Sequence, residues 1–240
     1  MEDIVDMHCH ILPEVDDGAE GIEESLAMLR REREEGVRKV ILTPHYRRGM
    51  FETPREKIKT VFSRLQREVQ RKKVGVDLFL GCEFYRENEI LDILKRDQSC
   101  RMAGTSYVLL EFSTVDSYSV IRNYTMGLLN HGYRPVIAHA ERYEALRKMD
   151  AVQSLAVAGA YIQVNAGSIL GKNGWSSRRF CKKLLKDGHV HLVGSDAHNM
   201  RLRAPCMGEC ARYLEKKLGN REAYRILSEN PEKLIRNEYI

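Results

Sequence analysis

Short apolar runs alternate with helical stretches along most of the 240-residue chain. The runs have the length of a β-strand, and the segments between them carry apolar residues at the spacing of an amphipathic helix. Seven such units favour a parallel α/β barrel, although periodicity alone leaves an open parallel sheet as an alternative. The predicted strands are Ile4–His8, Val40–Leu42, Val76–Leu80, Tyr107–Glu111, Pro135–Ala138, Tyr161–Val164 and Val190–Val193.

The helix after the second strand has the clearest predicted start. Thr53 is expected to be its N-cap, Pro54 its first residue and Glu56 the partner of Thr53 in a capping box. From Cys206 onward the chain is expected to form a helical tail. The predicted helices are Ile22–Glu35, Pro54–Arg71, Glu87–Lys95, Val120–His131, Ala151–Ala158, Arg178–Lys186 and Arg221–Ser228.

Length and composition favour one domain covering residues 1–240, because 43% hydrophobic residues are enough for one sizeable core. The formal net charge of +5 suits an anionic substrate but is weak evidence for nucleic acid, so no nucleic-acid partner is expected. The chain opens with acidic residues and contains no apolar run of membrane-spanning length. We therefore expect a cytoplasmic protein without direct membrane insertion.

The cysteines form no CxxC pair, so reduced thiols are expected rather than disulfides or an all-cysteine metal site. Cys206 and Arg212 have the C-x5-R spacing of a thiolate phosphatase loop, but that loop follows a strand. Here Pro205 precedes the cysteine, and apolar residues continue at helical spacing as far as Leu214. The sequence favours a helix face over a catalytic thiolate. The six cysteines are Cys9, Cys82, Cys100, Cys181, Cys206 and Cys210.

Metal-binding side chains gather where the predicted strands end. Six of the seven predicted strands are followed by a histidine or a carboxylate. The exception is the strand Tyr161–Val164, which ends in the polar stretch Gln163–Asn165. In a barrel these carboxyl ends lie on one face, where the chemistry of such folds is found. His8 and His10 face the same way because side chains alternate along a strand. The candidate metal ligands are His8, His10, Asp17, His45, Glu83, Glu111, His139, Asp196 and His198.

These residues predict more than one metal ion. A single histidine is more often a capping or hydrogen-bonded group than a ligand, but a whole set of N and O ligands at strand ends favours metal binding. Four carboxylates and five histidines exceed what one zinc ion binds. Three divalent ions against four carboxylates would leave about two positive charges, which favours phosphate. Mixed histidine and carboxylate ligands suit Mn, Fe or Zn.

Nine short stretches, spread nearly from one end of the chain to the other, carry a resemblance to a known family. They are Asp6–His10, Val15–Gly18, Thr43–His45, Gly49–Pro54, Gly81–Glu83, Glu111–Ser113, Val136–Tyr143, Gln163–Asn165 and Ser195–Asn199. Together they resemble the PHP (polymerase and histidinol phosphatase) superfamily, and more closely the bacterial tyrosine-protein phosphatases of capsule and exopolysaccharide synthesis. The stretches around Phe51 and Arg142 are the most specific, because the whole superfamily shares the metal motifs.

The resemblance implies a distorted (β/α)7 barrel of the PHP fold with three divalent metal ions, expected to be manganese with Fe or Zn as alternatives. The implied ligands of the first ion are His8, His10, Glu83 and Asp196. Glu111 and His139 are implied for a second ion, to which Glu83 forms a bridge. The implied ligands of the third ion are Asp17, His45 and His198.

The resemblance also implies a metal-dependent protein-tyrosine phosphatase whose substrate is a phosphotyrosine protein, expected to be a bacterial tyrosine kinase that controls polysaccharide synthesis. The hypothesis for the mechanism is in-line attack by a metal-activated hydroxide without a covalent intermediate. Arg142 and Arg203 resemble the phosphate-contacting arginines of the family, and guanidinium groups suit phosphate. Arg47 and Arg48 are further candidates for substrate binding.

Three alternatives share much of this pattern. A small-molecule phosphatase, such as one acting on histidinol phosphate, would have the same metal ligands and different pocket loops. An amidohydrolase-type enzyme would also begin with HxH, but it commonly has a bridging lysine where this chain has Glu111. A non-catalytic, metal-stabilised partner of a polymerase or kinase is the third alternative.

Overall fold

The structure is a computed structural model that describes residues 1, 3–87, 89–96 and 101–240. Its strands are all parallel where they pair, and within the described residues they form one sheet of three strands and one of six. The predicted distorted α/β barrel is confirmed. Within the described residues the strands are β1 Ile4–Cys9, β2 Val37–Leu42, β3 His45–Tyr46, β4 Asp77–Leu80, β5 Glu83–Tyr85, β6 Tyr107–Glu111, β7 Arg134–Ile137, β8 Tyr161–Asn165 and β9 Leu192–Gly194.

Two neighbouring strands of the barrel are each interrupted at the same level. β2 continues as β3 after Thr43 and Pro44, and β4 continues as β5 after Gly81 and Cys82. Proline has no N–H to donate to a ladder, and glycine weakens a strand interior, so both breaks have a cause in the sequence. The four pieces occupy two positions of the barrel, which reconciles nine strands with the seven that the sequence predicts.

The ring of strands closes between β1 and β9. The backbone N–H of Asp196 donates to the carbonyl of His8 at 2.8 Å. The buried carboxylate of Asp6 accepts hydrogen bonds from the N–H and the hydroxyl of Ser195, at 2.9 and 2.5 Å. A buried carboxylate is costly unless it is hydrogen-bonded, and here its bonds join the first strand to the segment after the last.

The helices agree with the predicted order. Most of their bounds shift by one to three residues, and the short helix α6 was not predicted. No helix of the described residues is long and apolar enough to cross a membrane. The helices are α1 Ile22–Glu34, α2 Arg55–Arg71, α3 Ile90–Arg96, α4 Tyr118–Asn130, α5 Met149–Val157, α6 Ala166–Leu170, α7 Trp175–Lys186, α8 Met207–Leu218, α9 Asn220–Tyr224 and α10 Asn230–Ile235, with a π-helical segment Arg225–Glu229 joining the last two.

The predicted capping box at the start of α2 is wrong. Pro54 is the N-cap, and no side chain makes a capping hydrogen bond there. The hydroxyl of Thr53 donates instead to the carbonyl of Val15 at 2.7 Å. The hydroxyl therefore makes a tertiary hydrogen bond instead of capping the helix. This bond joins the loop before α2 to the loop after β1.

Two apolar clusters fill the molecule. The larger lies between the strands and the surrounding helices. The smaller consists mostly of residues from the barrel strands, together with Met102, Ala138 and Leu234. Its strand members include Met7, Ile41, Leu109, Val136 and Leu192. The barrel is thus a packed core rather than a pore, which leaves the strand ends as the place for a site.

Gly194 at the end of β9 marks a close approach between the first and last strands. A Cβ atom at this position would lie 2.5 Å from the Cβ of His8. We expect Gly194→Ala to lower the free energy of unfolding by about 2–3 kcal/mol, because overpacking must displace a strand. Gly127→Ala in α4, where a Cβ meets no atom of the described residues, should leave stability unchanged or raise it by up to ~1 kcal/mol. Urea denaturation of both variants checks the difference.

Candidate metal centre

The nine predicted ligands converge at the carboxyl ends of the strands. Within the described part of the chain, three groups each present ligand atoms within 4.8 Å of one another. The groups are His10, Asp17, His45 and His198; His8, His10 and Asp196; and His45, Glu83 and Glu111. His139 lies beside the third group, with Nε2 2.8 Å from Glu83 Oε1 and 3.7 Å from Glu111 Oε1. His10 and His45 each belong to two groups, so the groups form one continuous centre.

Glu83 occupies the middle of this centre. Its Oε2 atom lies 3.2 Å from His8 Nε2, 3.2 Å from His10 Nε2 and 3.1 Å from His45 Nδ1. The carboxylate is fully buried, and Oε2 has no hydrogen-bond partner of suitable geometry among the described residues. A buried carboxylate oxygen without a hydrogen bond is costly, and a bound cation would remove that cost.

The histidine rings are held so that one nitrogen faces the centre. His10 Nδ1 donates to Asp16 Oδ2 at 2.8 Å, and His198 Nδ1 donates to the backbone carbonyl of Asp196 at 3.0 Å. Each ring therefore presents Nε2 to the other ligands, and His198 Nε2 is buried with no hydrogen-bond partner in the described structure. Metal-binding histidines are oriented in this way by oxygen atoms behind them.

A chain of side-chain hydrogen bonds links two of the ligands from behind. His8 Nδ1 contacts Gln163 Oε1 at 3.3 Å, Gln163 Nε2 donates to Asn165 Oδ1 at 2.9 Å, and Asn165 Nδ2 donates to Asp196 Oδ2 at 2.6 Å. Gln163 Oε1 also accepts the backbone N–H of His139 at 2.6 Å. The polar end of β8, a poor source of ligands by its residue types, thus positions ligands of three other strands.

Sequence reasoning missed two further positioning residues. Asp16 accepts the backbone N–H of His45 at 2.9 Å as well as the ring of His10. Tyr143 is fully buried, and its hydroxyl contacts His139 Nδ1 at 3.1 Å and accepts the N–H of Phe112 at 3.1 Å. Both belong to stretches quoted for the family resemblance, but only the tertiary structure shows which ring each one holds.

Two of the ligands have left-handed backbone conformations although neither is glycine. The φ angle is +32° at His139 and +51° at Asp196. This region costs a non-glycine residue on the order of 1–3 kcal/mol, and such residues concentrate at functional sites where the surroundings hold them. Each residue lies two positions after the end of a strand, where the turn directs its side chain back over the strand ends.

Burial and charge set the protonation of the ligands. Burial, followed by the negative charge of Glu83, raises the pKa of Glu111 to about 8. Burial lowers the pKa values of His45 and His139 to about 4, which favours the neutral imidazoles that bind metals. A carboxyl whose ionisation is opposed by burial and by a second carboxylate ionises readily once a cation binds beside it.

Arg142 and Arg203 both contact Asp196. Their NH2 atoms donate to its two carboxylate oxygens at 2.5 and 2.7 Å, and both side chains are about one-third exposed. Burial raises the pKa of Asp196, but Arg142 and His8 outweigh burial and hold the pKa well below its usual range. The predicted phosphate-binding arginines are thus at the centre, with donors left over for a ligand.

The two other predicted arginines have different surroundings. Arg48 donates to both carboxylate oxygens of Glu89, at 2.8 and 2.9 Å, and its side chain is 63% exposed. The guanidinium of Arg47 lies 4.2 Å from the ring centre of Tyr85. Neither arginine contacts the nine ligands in the described structure, although Phe51 from the same loop stacks on His45 with ring centres 5.1 Å apart.

The C-x5-R spacing at Cys206 belongs to a helix, as the sequence favours. Cys206 is the N-cap of α8 and is buried, and burial raises the pKa of its thiol to about 12. A thiolate nucleophile requires the opposite shift. Cys9, Cys181 and Cys210 are likewise free thiols, whereas Cys100 lies outside the described residues.

We expect Cys206→Ser to leave phosphate-ester hydrolysis unchanged within about twofold, because a thiol with a raised pKa supplies no nucleophile. Initial rates on an aryl phosphate, measured with metal-loaded protein, check this. Cys210→Ser in the same helix is the matched control for packing. A large loss confined to the Cys206 variant would restore the thiolate mechanism.

A parallel barrel with histidines and carboxylates converging at its strand ends defines a metal-dependent hydrolase. The family model described as "Capsular polysaccharide synthesis, CpsB/CapC" matches residues 4–236. The chain belongs to this CpsB/CapC family, and the resemblance to capsule-synthesis phosphatases is confirmed.

Curated relatives match this chain over almost its full length. The tyrosine-protein phosphatase CpsB of Streptococcus agalactiae is 33% identical over 243 residues, which are 99% of this chain and 100% of that protein. The tyrosine-protein phosphatase CpsB of Streptococcus pneumoniae is 36% identical over 245 residues, with the same coverage.

Solved structures also match this chain in fold. A crystal structure from work on Bacillus subtilis YwqE and S. pneumoniae CpsB, described as unique metal-dependent tyrosine phosphatases, matches with a TM-score of 0.92 and 32% identity, covering 99% of this chain and 96% of that one. A phosphotriesterase from Mycobacterium tuberculosis matches with a TM-score of 0.64 at 11% identity, covering 98% of this chain and 94% of that one. The second likeness concerns the fold alone.

Proposed function

We propose that this protein is a metal-dependent protein-tyrosine phosphatase. The observation that carries the proposal is the pair of histidine rings, His8 and His10, that oxygen atoms hold from behind while their other nitrogens converge on the buried Oε2 atom of Glu83. The relatives that cover the whole chain are named tyrosine-protein phosphatases. The proposed substrate is a phosphotyrosine protein, namely a bacterial tyrosine kinase of polysaccharide synthesis, and the proposed location is the cytoplasm.

The nine residues fit divalent ions by donor type and by position. We propose three ions, with manganese preferred. The proposed ligands are His8, His10, Glu83 and Asp196 for the first ion, Glu111 and His139 together with Glu83 for the second, and Asp17, His45 and His198 for the third. When bound, such ions supply an activated water and neutralise charge on the phosphate. A single continuous domain over residues 1–240 remains part of this proposal.

The chain's own residues bind and orient the substrate. Arg142 and Arg203 flank Asp196, and their remaining N–H groups are placed to hold phosphate oxygens in the bidentate manner that guanidinium allows. Phe51, stacked on His45, is placed to contact the aromatic ring that carries the phosphate. Arg47 and Arg48 lie in the same loop and bind the surrounding polypeptide in this proposal.

The test compares three substrates under one set of conditions. The value of kcat/KM is measured for a phosphotyrosine peptide, for the same peptide with phosphoserine, and for histidinol phosphate, with Mn, Fe or Zn added to chelator-treated protein. We expect the phosphotyrosine peptide to be hydrolysed fastest, with the highest rate in manganese and none after chelation. Preference for histidinol phosphate would indicate a small-molecule phosphatase. Failure to hydrolyse any ester when loaded with metal would indicate a non-catalytic partner.

A further inference from the structure

Helix α7 carries a row of cations on its exposed face. Arg179, Lys182, Lys183 and Lys186 follow Trp175 at helical spacing, whereas the opposite face is buried. Arg147, from the loop before α5, joins the row, because its NH1 atom donates to the carbonyl of Ser176 at 3.3 Å. We define the α7 basic patch as Arg147, Arg179, Lys182, Lys183 and Lys186. With Ser176 and Phe180 they line an open groove of about 510 Å³, in which no described residue is acidic.

The cations of the α7 basic patch have no internal counter-charge. Within the described parts of the chain, none of the five has a carboxylate oxygen within 4.0 Å, whereas Lys39, Arg71, Lys172 and Arg236 at other surfaces form ion pairs. Without these five residues the whole sequence would have equal numbers of basic and acidic residues. The net positive charge of the protein is therefore matched in size by the α7 basic patch, and such a field attracts an anionic surface.

Trp175 stands at the start of this face with 73% of its surface exposed. The guanidinium of Arg179 lies 5.4 Å from its ring centre, and the exposed ring projects beside the patch. Tryptophan and arginine are enriched at binding surfaces relative to the rest of a protein surface. Tryptophan is the residue type that prefers the boundary between water and lipid, where its ring reaches the headgroup level.

We propose that the α7 basic patch and Trp175 bind the surface of an anionic membrane. Two observations favour a membrane over an acidic protein. Three of the five cations are lysines, which are depleted in protein–protein interfaces, and a cluster of four to eight Lys and Arg residues on a helix is typical of binding to anionic lipid. The apolar face of α7 is packed in the core, so binding is electrostatic with one anchoring ring and without insertion of the helix.

The topology places this surface beside the catalytic side of the barrel. α7 follows β8 and begins on the side where the strands end, so Trp175 lies at the end of the helix nearer the metal centre. Arg147 follows the segment that contributes His139 and Arg142. Binding through this face lays the side of the barrel against the bilayer, with the Trp175 end of α7 toward the barrel mouth, independently of which phosphoester the centre hydrolyses.

Trp175 is the only tryptophan of the chain, so its fluorescence reports directly on this surface. The protein is titrated with vesicles of phosphatidylglycerol and phosphatidylcholine, and with vesicles of phosphatidylcholine alone. We expect a blue shift of the emission with the anionic vesicles only, which is lost when ionic strength rises from about 0.05 M to about 0.5 M. No blue shift at saturating anionic lipid would overturn the proposal.

Charge variants locate the binding surface. Since each cation near an anionic surface contributes roughly fivefold, the triple variant Lys182→Gln, Lys183→Gln, Lys186→Gln should bind anionic vesicles about 100-fold more weakly in co-sedimentation. The triple variant Arg64→Gln, Arg67→Gln, Lys72→Gln, on the exposed face and C-cap of α2, is the matched control and should bind like the parent protein. Equal losses in both variants would mean that net charge alone, and not the α7 basic patch, attracts the membrane.

A third experiment distinguishes binding to lipid from binding to an acidic protein. Both triple variants are tested for binding to poly-glutamate, and hydrolysis of an aryl phosphate together with thermal unfolding confirms that each is folded. Binding of poly-glutamate that depends on the α7 basic patch, combined with no binding of vesicles, would assign the surface to an acidic polypeptide and contradict the membrane proposal. Vesicle binding that depends on the patch supports it whatever the metal centre hydrolyses.

Discussion

Replacing Glu83 with glutamine is expected to abolish metal-dependent hydrolysis. The carboxylate lies within 3.2 Å of three histidine nitrogens and is fully buried, and a neutral amide cannot balance the charge of divalent ions there. Since metal ions supply several kcal/mol of transition-state stabilisation, we expect kcat for an aryl phosphate to fall by ~10³-fold or more. Metal content by mass spectrometry should fall in the same sample.

The control for this variant is Glu34→Gln, which makes the same chemical change at the exposed end of α1. It should keep the rate and the metal content of the parent protein. If Glu83→Gln retained full metal content and normal kcat, Glu83 would be neither a ligand nor a bridge between ions. If it lost activity but retained metal, Glu83 would act on the reaction and not on metal binding.

Replacing Arg142 with alanine is expected to lower kcat/KM by about 100-fold, because a charge-assisted donor to the phosphate is lost. Arg142 also donates to Asp196, so metal content must be measured alongside the kinetics. We expect the metal content to be retained, since Arg203 still contacts the other oxygen of that carboxylate. Arg142→Lys keeps the positive charge but lacks the paired, coplanar N–H donors of a guanidinium group. Its kcat/KM should therefore lie between those of the alanine variant and the parent protein.

Arg64→Ala, on the exposed face of α2, is the matched control for loss of an arginine. Unchanged kinetics in the Arg142→Ala protein would remove this residue from substrate binding. A parallel loss of metal and activity would mean that its role is to hold Asp196. The two results are separated by adding manganese in excess, which restores the rate only in the second case.

That the nine candidate ligands lie together could be predicted from sequence, because their positions follow from a simple pattern. Seven apolar runs locate the strand ends, and the residue types found there are those that bind metals. His8 and His10 illustrate why this succeeds: the two Nε2 atoms lie 3.3 Å apart, as expected for side chains on one face of a strand. Local spacing is sufficient where one strand supplies both ligands.

The residues behind the ligands could not be predicted in the same way. Gln163 contacts His8 across 155 residues of sequence, and nothing near either residue indicates the pairing. At Thr53 the local sequence matches a capping box, but the hydroxyl donates instead to the carbonyl of Val15, which is distant in sequence. The left-handed backbone of His139 also depends on its surroundings, since histidine alone does not favour it.

The two strand breaks, at Thr43–Pro44 and at Gly81–Cys82, limit which insertions and deletions this family can tolerate. His45 and Glu83 are partners in the β3–β5 ladder, directly above the last ladder pair of the strands below, Leu42 and Leu80. Exactly two residues separate the lower and upper pieces in each strand, so an insertion or deletion in one break alone would turn its ligand to the opposite side of the sheet. Related sequences that retain this centre should therefore keep both breaks at their present length of two residues.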